Sequence, residues 1–157
     1  MGKTTVDPLA QAIKIAATVH ESQTDKAGAA YILHPLRMMQ RAHTGDEQIV
    51  AVLHDVVEDS DWTLEKLRKA GFSPAIVEAV GLLSRSDDET YEAFVERIAG
   101  AKGKAGDTAR RVKLLDLEDN MNVSRLADLS DKNVEQLKRY QKAHKRLSDV
   151  LAASPAI

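Results

Sequence analysis

Apolar residues in this chain recur at helical spacing almost throughout, and no stretch alternates in the manner of a half-buried strand. Leu9, Ile13, Ala16 and His20 share one helical face, opened by Asp7 as a cap and Pro8 in the first turn. Further helices are predicted from His34-Pro35 to near Thr44-Gly45, over Glu47 to Asp59, from a cap at Asp61-Trp62-Thr63 to Ala70-Gly71, from Ser73-Pro74 to about Leu83, and over Glu89 to Ala99. Gly100 to Gly106 reads as a mobile link. A seventh helix then covers Asp107 to Leu126, and a long amphipathic eighth covers Asp131 to about Ala152. Aromatics make up only 4% of the chain and no hairpin dipeptide joins alternating segments, so strands are not expected. The expectation is one all-α domain over residues 1–157, a compact bundle of about eight helices. Its chemistry-bearing part spans about 7–126, with a C-terminal helix over about 131–152.

Composition narrows the functional classes. The chain has 157 residues, enough to bury a core without staples, and no cysteine. Disulfide scaffolds, thiol enzymes and Cys-ligated zinc sites are excluded. With 22 basic against 24 acidic residues, it lacks the cationic excess of a general nucleic-acid binder. No apolar run reaches the length of a membrane span. The start, Met1 to Pro8, lacks the apolar stretch of a signal peptide, so a cytoplasmic location is expected.

The third predicted helix carries polar groups where an apolar element should have none. Ile49, Val50, Val52, Leu53, Val56 and Val57 lie all round the cylinder, as on a helix buried on every side. His54, Asp55, Glu58 and Asp59 nevertheless fall within an arc of about 140° on the same helix. Two readings fit: a solvated acidic face, or a divalent cation that wants carboxylate oxygens and imidazole nitrogen together. His20 repeats the anomaly on the apolar stripe of the first helix, where a satisfied core histidine is the bland alternative. Val112, Asp116 and Asn120 repeat it one turn apart on the seventh helix, where Asp116 could instead be half-exposed or paired with Lys113. Sites in helical bundles are assembled from facing helices. His20, His54, Asp55 and Asp116 together would form a shell of two imidazoles and two carboxylates.

Taken as His20, His54-Asp55 and Asp116, the pattern resembles the HD-domain metal-dependent phosphohydrolases. Within them it is most similar to the hydrolase domain of RelA/SpoT alarmone enzymes and to the small alarmone hydrolases. The stretches that carry the likeness are Ala17 to His20, Lys26 to Pro35 with its Tyr-Ile-Leu-His-Pro, Val52-Leu-His-Asp-Val-Val-Glu-Asp59, and Val112 to Asp116 with Asn120. The resemblance implies an all-helical HD-type fold and one divalent metal, usually manganese, with iron, zinc or magnesium also compatible with such ligands. It assigns His20, His54, Asp55 and Asp116 as metal ligands and Glu58 with Asp59 as the pair that orients and deprotonates water. Lys26 and Asn120 are assigned to the nucleotide, and His34 is read as structural.

The chain departs from the family at positions that bear on substrate. Asp25 and Ala27 flank Lys26 where Arg and Ser are usual, Ala30 replaces the Pro before Tyr31, and Asn122-Val123 replace Arg-Thr after Met121. Three functions follow as expectations. The leading one is removal of the 3′-pyrophosphate from a (p)ppGpp- or (p)ppApp-like nucleotide, with Lys26, Lys113 and Arg125 as candidate phosphate partners. The others are a nucleotidase acting on 5′-nucleotides and a non-catalytic nucleotide- or partner-binding module. Val134, Leu137, Tyr140, His144, Leu147 and Leu151 form an apolar stripe on the last helix, for its own bundle or for a homodimer. Trp62 and Phe72 are assigned to the core.

Overall fold

Local capping chemistry sets most of the helix starts. The computed structural model describes residues 4–154 and contains nine α-helices among them. The N-terminal Met1-Gly2-Lys3 and the last three residues of the expected domain lie outside the described residues. Asp7 accepts the N–H of Ala10 and opens α1 (Pro8–Val19). After α2 (Leu33–Arg41), Thr44 and Glu47 form a reciprocal capping box at the start of α3 (Gly45–Leu53). This motif satisfies two otherwise orphaned amides at once.

The predicted helix over Glu47 to Asp59 is in fact two. It breaks at His54 and Asp55, and a single turn, α4 (Val56–Asp59), resumes beyond them. Asp55 has φ −105° and ψ 0°, the sparsely populated bridge between helix and strand geometries. Thr63 and Ser73 cap α5 (Leu64–Lys69) and α6 (Pro74–Leu82), and Thr90 caps α7 (Tyr91–Gly100).

The expected mobile link from Gly100 to Gly106 is mostly helix. α8 (Gly103–Asn120) begins inside it, and Gly106 packs so closely on Ala101 that an added Cβ would lie 2.5 Å from the Ala101 carbonyl oxygen. Glycine there serves close helix packing rather than freedom. A 3₁₀ turn over Val123–Arg125 leads to α9 (Asp131–Ala153).

α3 is the hub of the core. Val50, Ala51, Val52 and Leu53 are fully buried, and α1, α2, α6 and α8 pack around it. The apolar residues of α6 and α8, among them Val80, Ala109 and Leu117, close the same core. Phe72 is part of the buried core and Trp62 packs, partly buried, against that core. α9 lies across α7 and α8, where Ala143 and Leu147 are buried, so its apolar stripe meets its own bundle. Apart from one isolated bridge, Thr24 with Ala30, no β pairing occurs among the described residues.

Candidate active site

The helix break aims His54. Its Nδ1 lies 2.7 Å from the carbonyl oxygen of Ala51. A carbonyl only accepts, so the Nδ1 proton donates to it, and in the neutral ring the lone pair is left on Nε2. That Nε2 is buried and has no hydrogen-bond partner. Such orphaned atoms are rare and call for an explanation. Its nearest oxygens are Asp55 Oδ2 at 3.2 Å and Asp116 Oδ1 at 3.6 Å.

α2 delivers a second imidazole in the same way. His34 Nδ1 donates to Asp119 Oδ2 at 2.6 Å, which leaves Nε2 facing Asp116 Oδ1 at 3.0 Å. Asp119 is itself fixed by a two-point contact from Arg37, with bonds of 2.8 and 3.0 Å, and by Arg125 at 3.2 Å. A carboxylate gripping the distal nitrogen of an imidazole is the usual support for a metal-ligating histidine. One ligand atom from each of His34, His54 and Asp116 lies within 4.8 Å of the others, and all three residues are buried. Asp55 adjoins this group through its contact with His54, and Tyr31 donates its hydroxyl to Asp55 Oδ2.

The structure places His34, read from sequence as structural, in the cluster, and His20, expected as a ligand, beside it, with its own Nε2 also buried and without a hydrogen-bond partner. His20 follows α1, which packs on α3 and α4, and so it meets the end of α4 instead of α8. Its Nδ1 contacts Gln23 Oε1 at 2.5 Å and lies 3.8 Å from Asp59 Oδ2. His34 rides on α2, which packs directly on α8 and therefore on Asp116 and Asp119. The Asp116-Asp119-Asn120 face of α8 was the available sign of a supporting carboxylate, and Asp119 was missed.

Without a cation, the cluster is a dense set of ion pairs. Burial alone would lower the His34 and His54 pKa values, but the carboxylates of Asp116, Asp119 and Asp55 outweigh it and raise both. Burial likewise opposes ionised Asp116, and Lys113, His34 and His54 override it to hold that carboxyl well below its ordinary range. Asp55 is lowered to about 2, His54 prevailing over burial. Glu58 and Asp59 behave oppositely. Burial first, and the neighbouring negative charges second, raise both. A carboxylate so raised is a better proton acceptor.

Asn120 donates to Asp116 Oδ1 at 3.0 Å, and Lys113 approaches Oδ2 at 2.7 Å. Lys26 reaches across to Gln136 on α9, 2.6 Å away. Asp25 spends its carboxylate on its own loop, accepting the N–H groups of Ala27 and Ala29, around Gly28 at φ +83°.

Two cavities flank the cluster. One of about 310 Å³ is lined by Lys26, Tyr31, His34, Asn120, Leu137 and Tyr140 among others, and falls within the size range of small-molecule sites. The second, about 160 Å³, is bordered by His54, Asp55, Glu58, Arg85, Tyr91 and Lys113 among others. Thus Glu58, His54, Asp55 and Asp116 share one wall, while Lys26, His34 and Asn120 share the other.

An all-helical domain with a His-Asp pair at a helix break, facing a buried carboxylate from a later helix, has the architecture of an HD-type domain. Comparison with known proteins leads to particular relatives, although no protein-family model matches the chain. Over 86 residues it is 36% identical to the guanosine-3′,5′-bis(diphosphate) 3′-pyrophosphohydrolase of Vibrio cholerae, a match covering 52% of this chain and 12% of that protein. The protein of the same name from Haemophilus influenzae is 35% identical over 77 residues, 46% of this chain and 11% of the relative. The probable counterpart from Synechocystis is 37% identical over 84 residues, 49% and 11% respectively. The chain therefore spans only about a tenth of the length of these curated relatives. In three dimensions it matches a solved structure described as a metazoan ortholog of SpoT that hydrolyzes ppGpp and plays a role in starvation responses. The TM-score is 0.73 at 20% identity, covering 99% of this chain and 91% of the other, so the fold is shared end to end. No helix among the described residues is long and apolar enough to cross a membrane.

Proposed function

We propose that this protein is a metal-dependent phosphohydrolase that removes the 3′-pyrophosphate from an alarmone-like nucleotide of the (p)ppGpp or (p)ppApp class. The observation that carries the reading is the buried, unpartnered Nε2 of His54, beside a second supported imidazole and a buried carboxylate. Such a donor set suits a divalent cation, with manganese the ion expected. His34, His54, Asp55 and Asp116 would hold it. The relatives' activity and the shared fold support the same chemistry.

When bound, the cation supplies Lewis acidity, lowering the pKa of water and polarising a phosphoryl oxygen. The chain's own residues do the rest. Glu58, with its raised pKa, takes the proton of the attacking water, and Asp59 orients that water. The water oxygen bonds to phosphorus, the bond from phosphorus to the ribose 3′-oxygen breaks, and a proton passes to that oxygen. Lys26 and Asn120 line the larger cavity, where they contact the nucleotide. The substrate is a free nucleotide, not nucleic acid, and the setting is cytoplasmic.

The test is incubation of the manganese-loaded protein with 3′-pyrophosphorylated guanosine and adenosine nucleotides, with products resolved by chromatography. Pyrophosphate release is the expected result. Orthophosphate release from 5′-monophosphates would favour the nucleotidase, and binding without turnover the non-catalytic module. Glu58→Gln should retain the metal and lose about 10²–10⁴-fold in turnover. Cleavage at the parental rate would remove Glu58 from the mechanism.

A further inference from the structure

The smaller cavity contains groups that the reaction described so far does not use. The hydroxyl of Tyr91 is buried and has no hydrogen-bond partner, although Tyr91 lines this space. Buried hydroxyls are normally satisfied, so an unpaired donor facing a cavity points to something that fills it. Lys113 borders the same space, with its side chain only 12% exposed and its Nζ 5.8 and 5.1 Å from the ring centroids of Tyr91 and Phe94. Arg85, exposed, completes the cationic side, and its backbone N–H donates to Glu58. The facing negative groups are Asp55, Asp116 and Glu58. Asp55 contacts His54 and Asp116 pairs with Lys113, whose ammonium keeps further donors, so Glu58 faces the Arg85 guanidinium and the Tyr91 hydroxyl.

Size limits what can enter. About 160 Å³ corresponds to roughly five water molecules at about 30 Å³ each, half of what the neighbouring cavity offers. That is too small for a nucleoside and suited to phosphoryl groups. A purely apolar filler is excluded by the ammonium, the guanidinium and the phenol, all donors that match phosphate oxygens.

We propose that the cavity bounded by Tyr91, Lys113 and Arg85 is a binding subsite for the pyrophosphate end of the substrate and for released inorganic pyrophosphate. The inference rests on the phosphohydrolase reading for its place in the reaction. The nucleoside occupies the larger cavity and its 3′-pyrophosphate extends past the cluster into the smaller one. Tyr91 donates its hydroxyl to a phosphate oxygen, and Lys113 and Arg85 balance the charge.

The experiment is calorimetric titration of the manganese-loaded full chain, in excess manganese, with inorganic pyrophosphate and separately with guanosine 5′-diphosphate. Tyr91→Phe removes one oxygen and keeps the ring packing, and Arg85→Gln alters an exposed side chain, so both variants should melt as the parent does. Each is expected to weaken pyrophosphate binding by about 3–10-fold while leaving the 5′-diphosphate within about 2-fold. Lys142→Gln on α9 should change neither. Failure of the parent to bind pyrophosphate, unchanged affinity in both variants, or equal weakening of both ligands would overturn the subsite. Selective weakening in a protein that cleaves no nucleotide would keep the subsite and discard the phosphohydrolase reading. Cleavage with unaltered pyrophosphate affinity in the variants would do the reverse.

Discussion

His20 and His34 look alike by burial and differ in the groups that hold them. Both rings are nearly inaccessible, both pack against Tyr31, and both sit where an apolar face meets polar neighbours. His20 is held by the neutral amide of Gln23 and looks toward Asp59. His34 is held by a carboxylate that two arginines clamp, and its Nε2 is hydrogen-bonded to Asp116, whereas the buried Nε2 of His20 has no partner. Burial alone therefore does not identify a metal ligand. On the proposed reading, what marks His34 as a ligand is the charge on the group that grips its far nitrogen and the identity of the group facing the near one.

The contrast can be broken most directly by truncating each ring. His34→Ala should lower metal affinity by at least ~100-fold, exceeding the usual effect of losing a supporting group, whereas His20→Ala should stay within about 3-fold. Metal content after dialysis against graded manganese measures both, and equal losses would erase the distinction. Asp119→Asn keeps the shape of the support and removes its charge. It is expected to cost about 10–100-fold in metal affinity, read by the same titration, with His34 still in place.

Acidity sharpens the comparison further. Asp119 is lowered, with its partners His34 and Arg37 outweighing burial, so the stability it contributes is present above its unfolded value near 4 and fails only as pH falls through the lowered one. His34 is raised, so its ion pairs stabilise the metal-free protein fully below about pH 6.5 and are lost as pH rises through the raised value. A cation must displace that proton. Between about pH 6 and about pH 9, the metal-free melting temperature should fall while the increment added by manganese grows. Parallel curves with and without manganese would contradict this. The smallest effect belongs to the other histidine's partner. Gln23→Leu should leave metal affinity alone and slow turnover by about 3–10-fold through a looser Asp59, with kcat changing and KM steady.

Much of the frame was legible from local chemistry. Asp7-Pro8, Thr63 and Ser73-Pro74 announce their helices because a cap is a short-range event involving three or four residues. The long amphipathic run to Ala153 was equally readable. The break at His54 and Asp55 was not, because Val56 and Val57 continue the helical period across it, and the bond from His54 to Ala51 has no sequence signature. Gly100 to Gly106 misled for a related reason. Three glycines suggest looseness, yet Gly106 is there so that α8 can approach Ala101. Choosing between His20 and His34 required knowing which helix packs on α8, a long-range fact that periodicity does not contain. Tyr91 went unnoticed because an unsatisfied hydroxyl is visible only once its surroundings are known.

The clasp from Lys26 to Gln136 joins the loop after α1 to a helix more than a hundred residues downstream. Leu137 and Tyr140 of that helix complete the wall opposite His34 and Asn120. On the proposed reading, α9 contributes to the wall that meets the nucleotide and carries none of the groups assigned to cleavage. Drift in the terminal helix can retune which compound is accepted while the cleavage machinery stays untouched, and a lineage built this way can change its diet without relearning how to cut.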